Sequence, residues 1–335
     1  MAEKTEPVDP GDTRHTMDAN DETAGRSQTQ PPSPLTGRAA RHERRIPVRA
    51  LIDAYRNDYG IDVSAYLPEV DFLEAYRCEE TDLVFFGGDL SGPPAFYAEL
   101  YSGDDESWAY QDEKWEFATA RRLLTGADSV LDIGCGGGAF LGTLEGSVSS
   151  RSGLETSPFG REQARKRGLE VHDQTITDHA AEHSGRYEAV TAFQVLERVD
   201  DPRAFVGACV DALAPGGRLV LSVPNNDAFL RHCALLPLNL PPHHVTLWHR
   251  RTLEALPALF DLELDWVETE PLQADITGWF QAVVEERYLP ASRAVRWLYY
   301  RLGGDAAVRR AIEENRENIA GHTILAAYRK RSAPA

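Results

Sequence analysis

Val130-Leu-Asp-Ile-Gly-Cys-Gly-Gly-Gly-Ala-Phe-Leu141 reads as a buried strand that turns sharply into a helix. The apolar run Ser129–Ile133 supplies the strand, and helical spacing resumes from Ala139 to Leu144. Gly134 and Gly136 let the backbone bend and approach a ligand where a Cβ would collide. Ala139 stands where a third small residue is needed for helix–strand packing. A glycine fingerprint alone is weak, but Glu155 ends the next predicted strand, where a carboxylate can accept both hydroxyls of a ribose. The turn is therefore predicted to hold a nucleotide.

Asp132 decides which nucleotide. A dinucleotide lays its pyrophosphate over such a turn, and a carboxylate two residues before the first glycine would repel it. S-adenosylmethionine has no phosphate there; it carries a sulfonium and an ammonium, both of which Asp132 would stabilise. The alternative is an aspartate that only caps the turn.

The alternation continues outward from this stretch. Ser152–Glu155, Glu170–His172, Tyr187–Phe193 and Arg218–Val223 read as strands, and Pro158–Arg167 and Asp201–Ala214 as helices. Leu262–Glu268 and Thr323–Tyr328 add two more strands, with a mostly helical stretch between them. This rhythm predicts an α/β fold: a doubly wound, mostly parallel seven-stranded sheet of Rossmann-like type.

The run VLDIGCGGGAFL resembles the first motif of class I S-adenosylmethionine-dependent methyltransferases. Gly153-Leu-Glu-Thr-Ser157 looks like their ribose-binding acid motif. Tyr187–Pro202 is similar to their fourth-strand motif with its Leu-Glu-His core, here Leu196-Glu-Arg198. Leu213-Ala-Pro-Gly-Gly-Arg-Leu-Val-Leu-Ser-Val-Pro-Asn225 resembles their fifth-strand turn, and Gly321–Tyr328 their last, antiparallel strand. The resemblance implies that Asp132, Gly134, Cys135 and Gly136 surround the methionine part of the cofactor. It puts Glu155, with Thr156, at the ribose, and Thr175 and Ile176 beside the adenine. Gln194 and Val195 would line the pocket beneath the sulfonium. Arg198 stands in place of the usual His and Glu188 in place of the usual Asp, so no role is carried over from that His. S-adenosyl-L-homocysteine would be the product.

Methyl transfer is an in-line displacement at carbon; the protein aligns donor and acceptor, and a hydroxyl acceptor also needs a base. Candidates for the base are His243 and His244 in Leu238-Asn-Leu-Pro-Pro-His-His-Val-Thr-Leu-Trp248. Pro241 and Pro242 predict an extended stretch whose successive side chains point to opposite sides, so only one of the two would face the pocket. The segment resembles one found in small-molecule and glycan-modifying methyltransferases; a packed loop histidine is the alternative. Three imidazoles, His243, His244 and His249, would suit zinc, but no carboxylate or thiolate is placed with them, and no metal is expected. Tyr110 and Lys114 in Tyr110-Gln-Asp-Glu-Lys-Trp-Glu116 resemble the entry segment of the same branch. They would lie on one face if the following helix begins early, within reach of the cofactor.

Composition bounds the rest. The chain has 335 residues, 42% of them hydrophobic, enough for a packed core. No stretch approaches the roughly 20 apolar residues of a membrane span, and the start lacks an apolar signal core. Cys78, Cys135, Cys209 and Cys233 lack CxxC spacing and fit reduced thiols. The expectation is a cytoplasmic protein. A formal charge of −18 disfavours nucleic acid, and the fourth strand lacks the Asn/Asp-Pro-Pro-aromatic turn of DNA amino-methylation. With only four lysines, Lys4, Lys114, Lys166 and Lys330, the acidic, arginine-based balance fits either adaptation to high salt or a GC-rich genome.

The predicted organisation is a disordered polar tail over 1–45, ending in an arginine cluster from Arg38 to Arg45, and an aromatic-rich substrate-side region over 46–115. The cofactor domain follows over 116–272 plus 319–332, with a lid-like segment over 228–250 and a helical insertion over 273–318. The apolar run Phe229–Leu240 is read as core packing, or as a contact for a lipid-like acceptor. The function expected is methylation of a small molecule or glycan on oxygen. The competing reading is a catalytically silent subunit that binds the cofactor or a partner.

Overall fold

The computed structural model describes residues 30–101, 113–233, 235–272, 276–290 and 292–332. An N-terminal unit comes first: β1 (Ala40–Pro47), α1 (Val48–Tyr59), β2 (Phe72–Cys78), β3 (Val84–Phe86) and α2 (Pro94–Leu100). Next come α3 (Trp115–Leu123), β4 (Ser129–Ile133), α4 (Ala139–Thr143), β5 (Ser150–Leu154), α5 (Pro158–Lys166), β6 (Glu170–His172), α6 (Ile176–Glu182), β7 (Tyr187–Phe193), α7 (Pro202–Ala212) and β8 (Leu213–Pro224). The chain closes with β9 (Thr246–Leu247), α8 (Arg250–Leu259), β10 (Leu262–Pro271), α9 (Ile276–Trp279), a π-helix at Phe280–Tyr288, α10 (Arg293–Arg301), α11 (Gly304–Asn315) and β11 (Ala320–Lys330).

Seven strands make one sheet in the order β10-β11-β8-β7-β4-β5-β6. The pairs β7–β8, β4–β7, β4–β5 and β5–β6 are parallel, and β11 and β10 close the edge antiparallel. The fold is therefore the mostly parallel α/β sheet that the strand–helix rhythm predicted. Both faces are covered, as a parallel sheet requires. One face buries Leu131, Ile133, Val190, Leu219 and Leu221 with α6, α7 and α8; the other buries Val130, Ala189, Val220 and Leu325 with α3 and α4. Residues alternate between the two clusters along each strand, the period-2 geometry of a pleated sheet.

A second sheet, β1-β2-β3-β9, is antiparallel. Its strand β1 takes up the arginine cluster that the sequence assigned to a tail ending at residue 45. The charges are paired along this edge: Arg77 with Glu43 at 2.8 Å, and Arg45 and His42 with Glu74 at 3.7 and 2.6 Å. A charged edge strand resists pairing with other chains, and its polarity hides it from a hydrophobicity reading. Residues 1–29 lie outside the described residues.

Strand β9 belongs to the stretch after β8 but pairs with β3, Val84 against Leu247. That pairing fixes the Leu238–Trp248 segment between the two sheets. Val245 and Leu247 pack with Leu51, Tyr55 and Phe96 of the N-terminal unit, and the Tyr55 hydroxyl donates to the Pro237 carbonyl at 2.8 Å. Phe229 and Leu230 are buried against Leu272, Phe280 and Ile312, so core packing describes their part of the apolar run. Among the described residues no helix is long and apolar enough to cross a membrane.

Candidate active site

The glycine-rich turn is held by the neighbouring strand. The N–H groups of Gly134 and Cys135 both donate to the Leu154 carbonyl, at 2.8 and 3.1 Å. Gly134 has φ +65°, and a Cβ there would stand 2.6 Å from Val195 Cγ2. This contact brings the end of β4 against the end of β7, so Gln194 and Val195 join Asp132, Gly134, Cys135 and Gly136. The close helix–strand approach that Ala139 was expected to permit falls one residue earlier. A Cβ on Gly138, at φ +78°, would meet Leu169 Cδ1 at 2.2 Å.

Asp132 is 2% exposed and accepts a hydrogen bond from Thr191 Oγ1 at 2.7 Å. Burial pushes its pKa up to about 7 against the Thr191 bond, with the nearby Glu155 charge adding to the rise and Lys114 opposing it. Glu155 accepts from Gly136 N at 2.8 Å and from Ser157 N at 2.7 Å, which spans the gap between the two strand ends. Arg161 donates to the carbonyls of Glu155 and Thr156 and to Asp173 at the end of β6. Thr156 is exposed beside this network. Burial raises the Cys135 thiol far above its usual range, so it stays neutral.

These residues fit S-adenosylmethionine. A buried carboxylate with a raised pKa, a second carboxylate on the next strand and a single lysine in range of the first make a donor set for a cationic nucleoside and repel a pyrophosphate. Lys114 precedes α3, because the helix begins at Trp115 rather than early; its Nζ lies 5.5 Å over the Phe117 ring. Tyr110 lies outside the described residues. Thr175 is exposed and caps α6, accepting from Asp178 N at 3.2 Å, while Ile176 is buried in the core beneath it. Gln194 holds φ +57°, an uncommon conformation for a non-glycine residue; its N–H donates to the Ser222 carbonyl at 3.0 Å.

His243 and His244 do not point to opposite sides. Their rings stack with centroids 4.4 Å apart and 22° between planes. The stretch is a turn, with both N–H groups donating to the Leu240 carbonyl at 3.1 Å, and a turn removes the alternation that an extended chain would impose. Both side chains are buried among the sheets, and burial holds both imidazoles well below their usual pKa, hence neutral at pH 7.

A chain of amides fixes the tautomer of His244. Asn226 Nδ2 donates to the carbonyls of Pro224 and Trp248, each at 3.2 Å, so its Oδ1 is an acceptor. Asn239 Nδ2 donates to that oxygen at 2.8 Å, which leaves Asn239 Oδ1 to accept from His244 Nδ1 at 3.3 Å. The proton is on Nδ1, and the bare Nε2 faces Glu197 Oε1 at 3.7 Å. His243 donates from Nδ1 to the Leu238 carbonyl at 2.9 Å. Its Nε2 is buried without a hydrogen-bond partner among the described residues.

Glu197 was not singled out in the sequence. It is 1% exposed, and neither of its carboxylate oxygens has a hydrogen-bond partner among the described residues. Burial raises its pKa to about 7, opposed by the Arg198 and Lys114 charges. Arg198 lies 3.9 Å from it, donates to the Tyr101 hydroxyl at 3.1 Å and stacks over the Tyr97 ring at 5.6 Å. The position that differs from the Leu-Glu-His pattern thus ties the fourth-strand motif to the N-terminal aromatic region. His249 is occupied elsewhere, with Nδ1 at 2.9 Å from Asp227 and Nε2 at 3.4 Å from Arg77. Among the described residues no group of three or more His, Cys, Asp or Glu is arranged to hold a metal ion.

Parts of the chain are similar to known proteins. Residues 107–265 match the family model described as a methyltransferase domain. The ubiquinone biosynthesis O-methyltransferase of Cronobacter sakazakii is 38% identical over 105 residues, covering 30% of this chain and 43% of that protein. The protein of the same name from Xanthomonas oryzae pv. oryzae is 38% identical over 116 residues, covering 33% of this chain and 48% of its own. The chain spans just under half the length of these curated relatives. A methyltransferase from Archaeoglobus fulgidus superposes with a TM-score of 0.44 at 18% identity, over 70% of this chain and 98% of that one. Residues 107–265 are thus similar to a methyltransferase domain, and this stretch carries the glycine turn, Glu155 and Glu197.

Proposed function

We propose that the chain transfers a methyl group from S-adenosylmethionine to a hydroxyl of a small-molecule acceptor. The observation that carries this reading is the buried Glu197–His244 pair, placed directly after the strand that ends in Gln194 and Val195. S-adenosylmethionine supplies a methyl group already activated by the sulfonium and leaves as S-adenosylhomocysteine. Asp132 would balance the cationic methionine part, and Glu155 would hold the ribose. Thr156, Thr175 and Ile176 would border the adenosine, with Cys135, Gly136 and Lys114 around the amino-acid end.

The acceptor O–H must lose its proton as the new O–C bond forms. Its proton would pass to His244 Nε2, whose lone pair is free because Nδ1 is held by Asn239. Glu197, ionised above about pH 7, would then balance the imidazolium. His243 would hold the acceptor by a hydrogen bond to its own bare Nε2. The buried Tyr55 and Phe96 and the half-buried Tyr97 beside His243 favour an acceptor with an apolar or ring-bearing part. The names of the curated relatives, O-methyltransferases of ubiquinone biosynthesis, support a small hydroxylated acceptor.

The test joins a binding assay with label transfer. Saturable binding of S-adenosylhomocysteine together with labelled methyl in the small-molecule fraction of a cell extract supports the proposal. Saturable binding with no label in any fraction would favour a silent subunit, and label in RNA or protein would overturn the acceptor class.

A further inference from the structure

The helical stretch between β10 and β11 presents one face that the fold does not use. None of the residues of α10 is buried. Val295, Leu298 and Leu302 follow one another at three- and four-residue spacing, so they form a single outward stripe on and just past the helix. They are 44%, 49% and 75% exposed, and Trp297 beside them is 61% exposed. Arg293, Trp297 and Arg301 form the adjacent row at four-residue spacing, with the Arg301 guanidinium 5.1 Å over the Trp297 ring. The opposite side of the helix is fixed. Arg296 donates to the carbonyls of Glu285, Leu289 and Pro290, Tyr300 bonds Glu285, and Tyr299 packs toward Phe280 and Ile312.

The local charge suits an anionic partner. Residues 288–304 carry three arginines and no acid, in a chain whose formal charge is −18. An apolar stripe bordered by arginines, with an aromatic ring between, is the pattern of a helix that lies in a membrane interface. The apolar residues enter the acyl boundary, the tryptophan sits at headgroup depth, and the guanidinium groups meet anionic headgroups. A second copy of the chain fits less well. The stripe from Val295 to Leu302 is only ~11 Å long at ~1.5 Å per residue, too short to supply the ~800 Å² per partner of a standard interface. Two facing copies would also bring like charges together.

We infer that α10 and Leu302 dock the protein on an anionic lipid surface, with Val295, Leu298 and Leu302 inserted and Arg293 and Arg301 at the headgroups. The inner side of this helical stretch covers Phe229 and Leu230, which precede the segment bearing His243 and His244. The inference itself does not depend on methyl transfer, because binding is read without turnover.

Flotation of the full chain with phosphatidylcholine vesicles, with and without phosphatidylglycerol, tests it. The expected result is binding to the phosphatidylglycerol vesicles that weakens as salt rises and is much lower on phosphatidylcholine alone. Leu298→Ser combined with Leu302→Ser should reduce partitioning about tenfold or more, and Arg301→Glu about fivefold or more. Thermal midpoint and S-adenosylhomocysteine binding should be unchanged in both, which separates docking from folding and from the cofactor site. Absence of binding to phosphatidylglycerol vesicles at low salt overturns the inference, as does binding that the stripe variants leave intact. A dimer in light scattering that Leu298→Ser converts to monomer would assign the face to a second copy and overturn it too.

Discussion

Glu197 and His244 face each other across 3.7 Å, carboxylate oxygen to bare Nε2, in a region where both side chains are buried. A buried carboxylate without hydrogen bonds is costly, and a fold that only needed to pack this site would be better served by an apolar residue. Next to a neutral imidazole it can hold or release a proton near neutral pH.

His244→Ala should therefore lower kcat by ~10²–10⁴-fold for a hydroxyl acceptor while leaving the affinity for S-adenosylhomocysteine within about twofold. Glu197→Gln keeps shape and removes charge, and should lower kcat by a smaller factor, about tenfold or more. Single-turnover kinetics under saturating donor read both; full turnover in His244→Ala would remove the base from this residue. His243→Ala should act mainly on acceptor KM.

The rate should rise with pH. The histidines are held well below their usual pKa and titrate out of range, whereas Glu197 sits at about 7. The wild-type kcat should climb through about pH 7 to a plateau, and Glu197→Gln should flatten that limb. A wild-type profile already flat from pH 6 to 8 would contradict the role given to Glu197.

Stability should move the other way. A carboxyl whose folded pKa is raised above its unfolded value contributes stability that is present at low pH and lost as pH rises through the folded pKa. For Glu197, raised from 4.5 to about 7, the loss is about 3 kcal/mol at most. Asp132, raised to about 7, has the same sign. The cofactor-free melting temperature should fall between pH 5.5 and 8 by several degrees, and less steeply in Glu197→Gln. Added S-adenosylmethionine should restore part of the loss at the high-pH end, because it pairs with ionised Asp132.

Asp132→Asn should weaken S-adenosylmethionine binding by about 10- to 100-fold, the value of a lost charge-assisted contact of about 1.5–3 kcal/mol. Gly134→Ala should weaken it as much or more, since its Cβ would meet Val195 at 2.6 Å and the backbone would have to hold φ +65°. Titration calorimetry distinguishes these from an unfolded protein by the retained binding stoichiometry.

Asn239→Ala leaves Asn226 Oδ1 and His244 Nδ1 without their partner. Its expected cost is about 1–3 kcal/mol of stability together with a lower kcat, because His244 loses the bond that keeps the proton off Nε2. An unchanged kcat in a folded Asn239→Ala protein would show that the tautomer is set by something else.

The order of the main strands, the glycine turn and the carboxylates Asp132 and Glu155 were legible in the sequence because each rests on local pattern. A buried parallel strand is a continuous apolar run, and a nucleotide turn needs glycine where the backbone bends. The second sheet was not legible. Strand β1 is arginine-rich and pairs with a strand about thirty residues on, and β9 is only two residues long and pairs with β3 across the chain. Neither carries a periodic signal. The opposed histidines were misjudged for a related reason. Two prolines suggested an extended chain, but both following N–H groups close a turn on Leu240.

The sequence alone determined the strand–helix rhythm and the acids beside the glycine turn, since both follow from neighbours along the chain. Only the tertiary structure decided that Glu197, Asn226, Asn239 and the paired histidines form one buried cluster. These residues come from two stretches about thirty positions apart. They meet because β9 is drawn onto the N-terminal sheet, and the cost of burying their polar groups, offset by one another and by nearby backbone carbonyls, then fixes tautomer and charge.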